Sequence, residues 1–348
     1  MQKYNALGIM SGTSLDGLDI VLCEFSFNSK WNFNIIKSQT ISYTKTWKDK
    51  LSNAHTLHGL DLTKLHKEYG KLIGTEINKF IKNQNYNIDF IASHGHTIFH
   101  QPEKQLTLQI GDGAEIAATT HIKTVSDFRS LDIALGGQGA PLVPIGDQLL
   151  FTEFDYCINI GGFANISLNA YNKRIAYDIC PANIILNHLA QKLGKEFDKN
   201  GKLGKQGKID SDLLNQLNDI DYYKQNPPKS LAREWLTDIF IPFIYKSEIS
   251  TLDKISTIYE HIASQIAFSI KKNAKVLITG GGAYNQHLIN QIKTKSQSNI
   301  IIPNSDIVEF KEALIFAFLG LLRIQGKNNT LASVTGAKKD SSGGNIFI

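Results

Sequence analysis

Between two apolar, strand-like pieces lie Ser11, Gly12, Thr13, Ser14, Leu15, Asp16 and Gly17, nearly all small or acidic. A turn of this make-up can aim backbone N–H groups and hydroxyls at one point, and its small residues let an oxyanion approach the main chain. That suits a phosphate chain, with Asp16 holding Mg²⁺ through water. No Gly-Lys-Ser/Thr follows, so this is not a Walker A loop. Read alone, the turn is as well explained by a plain hairpin. A second turn, in "CINIGGFANISL", puts Gly161 and Gly162 between two strand-like pieces. A third, in "VLITGGGAYNQHL", puts Gly280, Gly281 and Gly282 between a strand and a helix, where a base or ribose can lie on the backbone beside a helix N-terminus. Each is weak alone. Together they describe ATP held in a cleft, with one phosphate clamp from each of two related halves.

Other residues suit a substrate. In "IASHGHTIFHQP", His94 and His96 stand just past a strand. An H-x-H pair can bind metal, but no third ligand is evident, so hydrogen bonding at the strand end is the expectation. "VSDFRSLDIALGGQGAPLVP" ends a strand with Asp127 and Arg129 and enters a glycine-rich loop. Arg129 can fork onto a carboxylate, or pair structurally with Asp127 or Asp132. "RIAYDICPAN" ends a strand at Asp178, the expected place for a general-base carboxylate in a sugar kinase, although an aspartate there also caps helices. Glu312, at the start of an apolar helix, favours the helix dipole.

The elements that position these residues come in two rounds of the same order. The first has strands over Asn5–Met10, Leu18–Phe25 and Phe33–Tyr43, and a helix over Asp61–Asn83. Strand Ile88–Ser93, helix Gly113–Thr120 and strand Lys123–Phe128 follow. The second has strands Asp155–Ile160, Ala164–Asn169 and Arg174–Asp178, then a helix opening at Pro181, where proline suits the first turn. A helix near Thr257–Lys272, strand Lys275–Thr279, helix Gln286–Lys295, strand Ile300–Pro303 and helix Lys311–Ile324 complete it. The implied fold class is α/β: duplicated actin-like ATPase (ribonuclease H-like) domains with mixed five-stranded sheets and an interdomain cleft. The expected first domain is 1–128 plus about 325–348, and the second is 129–324. Glu196–Lys208, rich in glycine and lysine, reads as a mobile, solvated surface loop, with a substrate-side flap as the alternative.

Composition narrows the class. With 37 basic and 32 acidic residues, the net charge of +5 is modest and scattered, which argues against nucleic acid and only weakly for anionic small ligands. The longest apolar run, Ala313–Leu322, is too short to span a bilayer, and no secretory signal is visible, so no membrane partner is expected. Cys23, Cys157 and Cys180 form no CxxC pair and fit a reducing cytoplasm as small core fillers.

Over essentially its whole length the chain resembles the anhydro-N-acetylmuramic acid kinases. The resemblance is carried by "GIMSGTSLDGLDIVL", "SHGHTIFHQP", "LQIGDGAEIA", "DFRSLDIALGGQGAPLVP", "NIGGFANIS", "PPKSLAREW", "TGGGAYN", "EALIFAFLG" and "SVTGA". It implies the actin-like fold, ATP with Mg²⁺, an anhydrosugar substrate, a homodimer and a cytoplasmic role in cell-wall sugar recycling. It also implies Asp178 as the base that activates water, and Arg129 in the Asp-Phe-Arg segment as the group binding the lactyl carboxylate. Glu312 matches an acidic residue near the substrate, and Asn183 is retained beside the base. Where many members have Asp-Thr-Gly-Pro-Gly-Asn, this chain has Asp178-Ile179-Cys180-Pro181-Ala182-Asn183. "GDPALIA" becomes "GDGAEIA", and "SHGQT" becomes "SHGHT" at His96. Two alternatives are an ordinary sugar kinase with another substrate and a non-catalytic actin-like nucleotide-binding scaffold.

Overall fold

The computed structural model describes residues 2–12, 15–82 and 86–348. The chain divides into two compact units, Met1–Leu150 with Phe310–Ile348, and Phe151–Glu309.

The first unit holds β1 (Lys3–Ser11), β2 (Gly17–Asn28), β3 (Lys30–Ser42), β4 (Phe90–Gln101), β5 (Leu106–Ile110), β6 (Thr124–Ser126) and, near the end of the chain, β12 (Asn345–Phe347). These form one seven-stranded sheet in the order β12-β6-β4-β1-β2-β3, with β5 on β4. The first three strands form an antiparallel meander, and β4 and β6 add in parallel. Helix Gly59–Ile81 lays Leu65, Tyr69, Ile73 and Ile77 into the core with Leu7, Ile9 and Ile91. Ser305–Ile324 is a single helix, and its residues from Phe310 onward belong to this unit. It packs so closely that a Cβ on Gly8 would overlap the Ala313 carbonyl.

The second unit holds β7 (Tyr156–Ile160), β8 (Phe163–Ala170), β9 (Lys173–Pro181), β10 (Lys275–Thr279) and β11 (Asn299–Ile301) in the order β11-β10-β7-β8-β9. Again three antiparallel strands are followed by two parallel ones. Helices Asn183–Gln191 and Thr251–Phe268 bury Ile185, Leu189, Ile258 and Ile262 against Ile158 and Ile278.

The duplicated order is therefore present, β3-β2-β1-β4-β6 in one unit and β9-β8-β7-β10-β11 in the other. Three expectations change. The first sheet has seven strands, not five, because β5 folds back on β4 and β12 returns to β6. The unit boundaries fall at 150/151 and 309/310 instead of near 128/129 and 324/325. Residues 129–150 belong with the first unit: Arg129 bonds to His94, and Asp132 accepts from Thr335. Pro181 closes β9, an edge strand where its missing N–H costs no ladder bond, and the helix starts at Asn183.

All three cysteines are buried and free, as core filler requires. Among the described residues no helix is long and apolar enough to cross a membrane.

Candidate active site

In the second unit the backbone builds the site. Gly161 N–H closes the β7–β8 turn on the Phe163 carbonyl. Ala182 and Ile184 N–H donate to the Gly162 carbonyl, and Asn183 N–H donates to that of Gly161. The turn is thereby tied to the start of helix Asn183–Gln191, and Asn183 Nδ2 donates to Ile160 O at 3.2 Å. Gly280, at φ +80°, follows β10, and a Cβ there would meet Asn159 Oδ1 at 2.6 Å. Above Gly162 and Gly281 the space is open. An added Cβ would have Ile184 Cβ at 3.6 Å and Asn183 Nδ2 at 3.9 Å as its respective neighbours. Gly161, Gly162, Asn183 and Gly280–Gly282 thus come together.

Beside them lies a pocket of about 440 Å³, lined in part by Asn183, Asn187, Asp198, Tyr259, Gly281 and Asn285. Residues 197–200 supply part of its lining, in a segment whose composition reads as a loose loop. Asp198 instead pins it, accepting from Leu203 N (2.8 Å), Gly204 N (3.0 Å) and Tyr259 Oη (3.1 Å). Tyr259 Oη accepts in turn from Asn285 Nδ2 at 2.6 Å, while Asn285 Oδ1 caps helix Gln286–Ser296. The acidic residue inside a lysine-rich stretch was the available sign.

Asp178 lies on β9 where the β8 ladder shifts register between Ala164 and Asn165, leaving Ile179 as the extra residue. Its half-buried carboxylate accepts from Leu231 N at 2.9 Å. Its backbone carbonyl accepts from Tyr222 Oη at 2.6 Å, and its N–H donates to Lys229 O. Burial raises the Asp178 pKa, and the Leu231 N–H opposes that rise. These supports come from "PPKSLAREW" and the tyrosines before it, which spacing alone did not link to Asp178. Ile179, Cys180 and Ala182, the departures from the family pattern, are all buried in the core of this unit.

In the first unit side chains build the site. His94 Nδ1 donates to the Gly95 carbonyl at 2.9 Å, which leaves Nε2 as acceptor for Arg129 Nε at 3.0 Å. Burial, then the Arg129 charge, hold His94 well below the usual imidazole range. Arg129 Nη1 donates to Gly139 O at 2.6 Å, so neither Asp127 nor Asp132 is its hydrogen-bond partner. Asp132 accepts from Gly139 N and Thr335. Burial pushes Arg129 down to about 10, and Glu312 and Asp132 resist that fall. Desolvation raises the Glu312 carboxyl, and the Arg129 and Lys311 charges oppose that rise. His94, Arg129 and Glu312 therefore form one electrostatic group.

Asp127 stands apart from them. Its carboxylate accepts from Ser130 Oγ (2.5 Å) and Asn345 Nδ2 (3.3 Å). At φ +62° it serves as the corner between β6 and helix Ser130–Ala134. Of the opening turn, Gly12 O accepts from Leu15 N at 3.3 Å and Asp16 is exposed. Ser11 is buried and bonds inward, and Thr13 and Ser14 lie outside the described residues. Among the described residues no cluster of three or more His, Cys, Asp or Glu is arranged to hold a metal.

A meander followed by parallel strands, repeated in two units, is the actin-like fold. A solved structure, component A of (R)-2-hydroxyglutaryl-CoA dehydratase from Acidaminococcus fermentans, aligns with 90% of this chain and 96% of its own at a TM-score of 0.46 and 14% identity. Residues 4–348 match the family model for anhydro-N-acetylmuramic acid kinase. The curated anhydro-N-acetylmuramic acid kinase of Clostridioides difficile (strain 630) is 35% identical, covering 98% of this chain and 97% of its own. That of Francisella tularensis subsp. novicida (strain U112) is 36% identical, covering 97% of each. The chain belongs to the anhydro-N-acetylmuramic acid kinase family.

Proposed function

We propose that the protein is an ATP-dependent kinase that opens the 1,6-anhydro bond of anhydro-N-acetylmuramic acid and phosphorylates O6, giving N-acetylmuramic acid 6-phosphate for cell-wall recycling. Asp178 takes a proton from water as the water oxygen attacks C1. The bridge oxygen leaves C1 with its electron pair and takes the γ-phosphoryl, releasing ADP. A glycoside-cleaving site ordinarily needs a base for water and an acid for the leaving oxygen. Phosphoryl transfer to that oxygen removes the need for the acid, so one carboxylate is enough.

The observation that carries this reading is the environment of Asp178. It is half-buried with a raised pKa, and one oxygen is fixed by a backbone N–H while the carboxylate keeps access to solvent. A base so held keeps its orientation and gains proton affinity. The open backbone at Gly162 and Gly281 fits a phosphate chain and a ribose, and the adjoining pocket fits the rest of the nucleoside. Mg²⁺ usually takes one or two carboxylates, phosphate oxygens and water, a donor set that the exposed Asp16 suits. Mg²⁺ would neutralise charge on the phosphates. Arg129, held along one edge by His94 and Gly139, binds the lactyl carboxylate, and Glu312 lies near the sugar. The enzyme acts as a homodimer in the cytoplasm, a compartment that suits three buried free thiols.

Mass spectrometry of products from purified protein, Mg-ATP and 1,6-anhydro-N-acetylmuramic acid tests this. The expected product is heavier than the sugar by one phosphoryl group and one water, with matching ADP. A product heavier by a phosphoryl group alone would reassign the protein as an ordinary sugar kinase. ATP hydrolysis indifferent to sugar would leave a nucleotide-binding scaffold.

A further inference from the structure

The opening turn is secured from behind by side chains that the proposed reaction does not use. Ser11 Oγ lies 2.7 Å from Tyr43 Oη and 2.9 Å from His96 Nδ1. Tyr43 Oη lies 2.5 Å from Tyr69 Oη. The four groups form one chain from β1, the residue after β3, helix Gly59–Ile81 and β4, and Ser11 is only 2% exposed. The hydroxyl therefore faces the interior and is not displayed to a ligand.

The backbone holds Ser11 on one side only, where β1 pairs with β2 as far as Ser11 and Leu18. The parallel ladder of β1 on β4 shifts register between Ile9 and Ser11, and resumes only as Ser11 pairs with His96. Gly95, beside the shift, has φ +74°, and Leu15 has φ +59°. The side-chain chain takes hold on the β4 side, where the ladder is interrupted. Burial keeps His96 down at about 4, so its ring stays neutral and the bond to Ser11 persists through the ordinary pH range.

We propose that His96, Tyr43 and Tyr69 are positioning residues that anchor Ser11 and so fix the main chain at Gly12, where it meets the nucleotide phosphates. The inference rests on the nucleotide reading above and adds that Ser11 acts as an anchor, not as a phosphate ligand.

Calorimetric binding of Mg-ATP without sugar, followed by steady-state kinetics, tests it on the full chain. His96→Leu should weaken Mg-ATP about tenfold in Kd and KM, with the sugar KM unchanged, a loss on the scale of one buried hydrogen bond. His96→Gln, whose amide can reach Ser11, should restore most of that affinity. His96→Leu added to Ser11→Ala should cost nothing further, because Ser11→Ala already removes the hydroxyl that His96 holds. Additive losses would overturn the proposal, since His96 would then act on the nucleotide site by a route other than Ser11. Nucleotide affinity unchanged in folded His96→Leu would also overturn it. Should His96→Leu fail to fold, Tyr43→Phe keeps the ring volume and is expected to weaken Mg-ATP several-fold, and wild-type affinity there counts against the anchor. A wild-type protein that binds no Mg-ATP would instead bring down the nucleotide reading itself.

Discussion

The two units solve one problem with different material. In the second, the turn at Gly161 and Gly162 is held by main-chain N–H groups of Ala182, Asn183 and Ile184, and the Asp178 carboxylate by the main-chain N–H of Leu231. In the first, Ser11 is held by Tyr43 and His96, and Arg129 by His94. A backbone-built site is indifferent to the side chains that supply its N–H groups and vulnerable to added Cβ atoms or lost φ freedom. A side-chain-built site reverses both sensitivities. The departures at Ile179, Cys180 and Ala182 fall in the backbone-built unit and are absorbed into its core.

The largest effect belongs to the functional side chain of the backbone-built unit. Asp178→Asn should lower turnover by roughly 10²–10⁴, the usual worth of a general base, while Mg-ATP affinity measured by calorimetry is retained. An unchanged turnover would remove Asp178 as the base. Its pH profile sharpens the point. Burial raises the pKa, and a base works only when deprotonated, so activity should fall on acidification at a higher pH than an ordinary carboxylate gives.

Next comes Arg129→Ala in the side-chain-built unit. It should weaken the acidic sugar by about 30-fold or more, on the scale of removing one member of a hydrogen-bonded charge pair. A lactyl-free anhydrosugar should be little affected. Equal losses on both would take Arg129 out of the carboxylate role.

Two glycines of the second unit separate backbone strain from ligand access. Gly280→Ala forces a φ of +80° on an L-residue and drives its Cβ toward Asn159, so it should cost about 1–2 kcal/mol of stability or more. Gly162→Ala meets only ordinary contact with Ile184 and should leave the melting temperature alone. It should nevertheless weaken Mg-ATP about tenfold by covering the open main chain. Equal melting losses in both variants would mean that Gly162 serves the fold and not the ligand.

Much of this was legible in the chain. Helix Gly113–Thr120 and strand Lys275–Thr279 fall where periodicity puts them, and the duplicated order of elements follows from spacing alone. The last long helix starts earlier than its apolar run, which points to Lys311. Asn304 Oδ1 accepts from Ile307 N, a capping contact that begins the helix at Ser305, six residues before Lys311. What local pattern does not carry is pairing at long range. β12 returns to β6 across more than half the chain, and Leu231 comes to Asp178 from a proline-rich loop. Asp127 and Arg129, two residues apart, share a motif yet part company in space. One holds a corner with Ser130 and Asn345, and the other turns to His94. Side-chain direction at an irregular corner depends on φ, and the +62° of Asp127 is not written in its neighbours.

The smallest expected effect is on stability against pH, and it too divides the units. His94 and His96 are buried and neutral in the side-chain-built site. In the second unit His261 is buried between Asn218 Oδ1 (2.8 Å) and Tyr223 Oη (3.0 Å), away from the glycine turns. Burial holds His261 to about 3 and His96 to about 4. Below the ordinary imidazole value of about 6.5 the unfolded chain takes up protons that the folded one refuses, so stability falls as pH drops through that window. Each such histidine contributes a slope of about 1 kcal/mol per pH unit between its two pKa values. His261→Gln should flatten the acid side of a urea-denaturation series by about one proton while leaving nucleotide affinity unchanged. His96→Gln should flatten the same limb, because the amide does not titrate. If neither variant changes the slope, these imidazoles are already charged in the folded protein, and the neutral ring proposed to anchor Ser11 is lost with them.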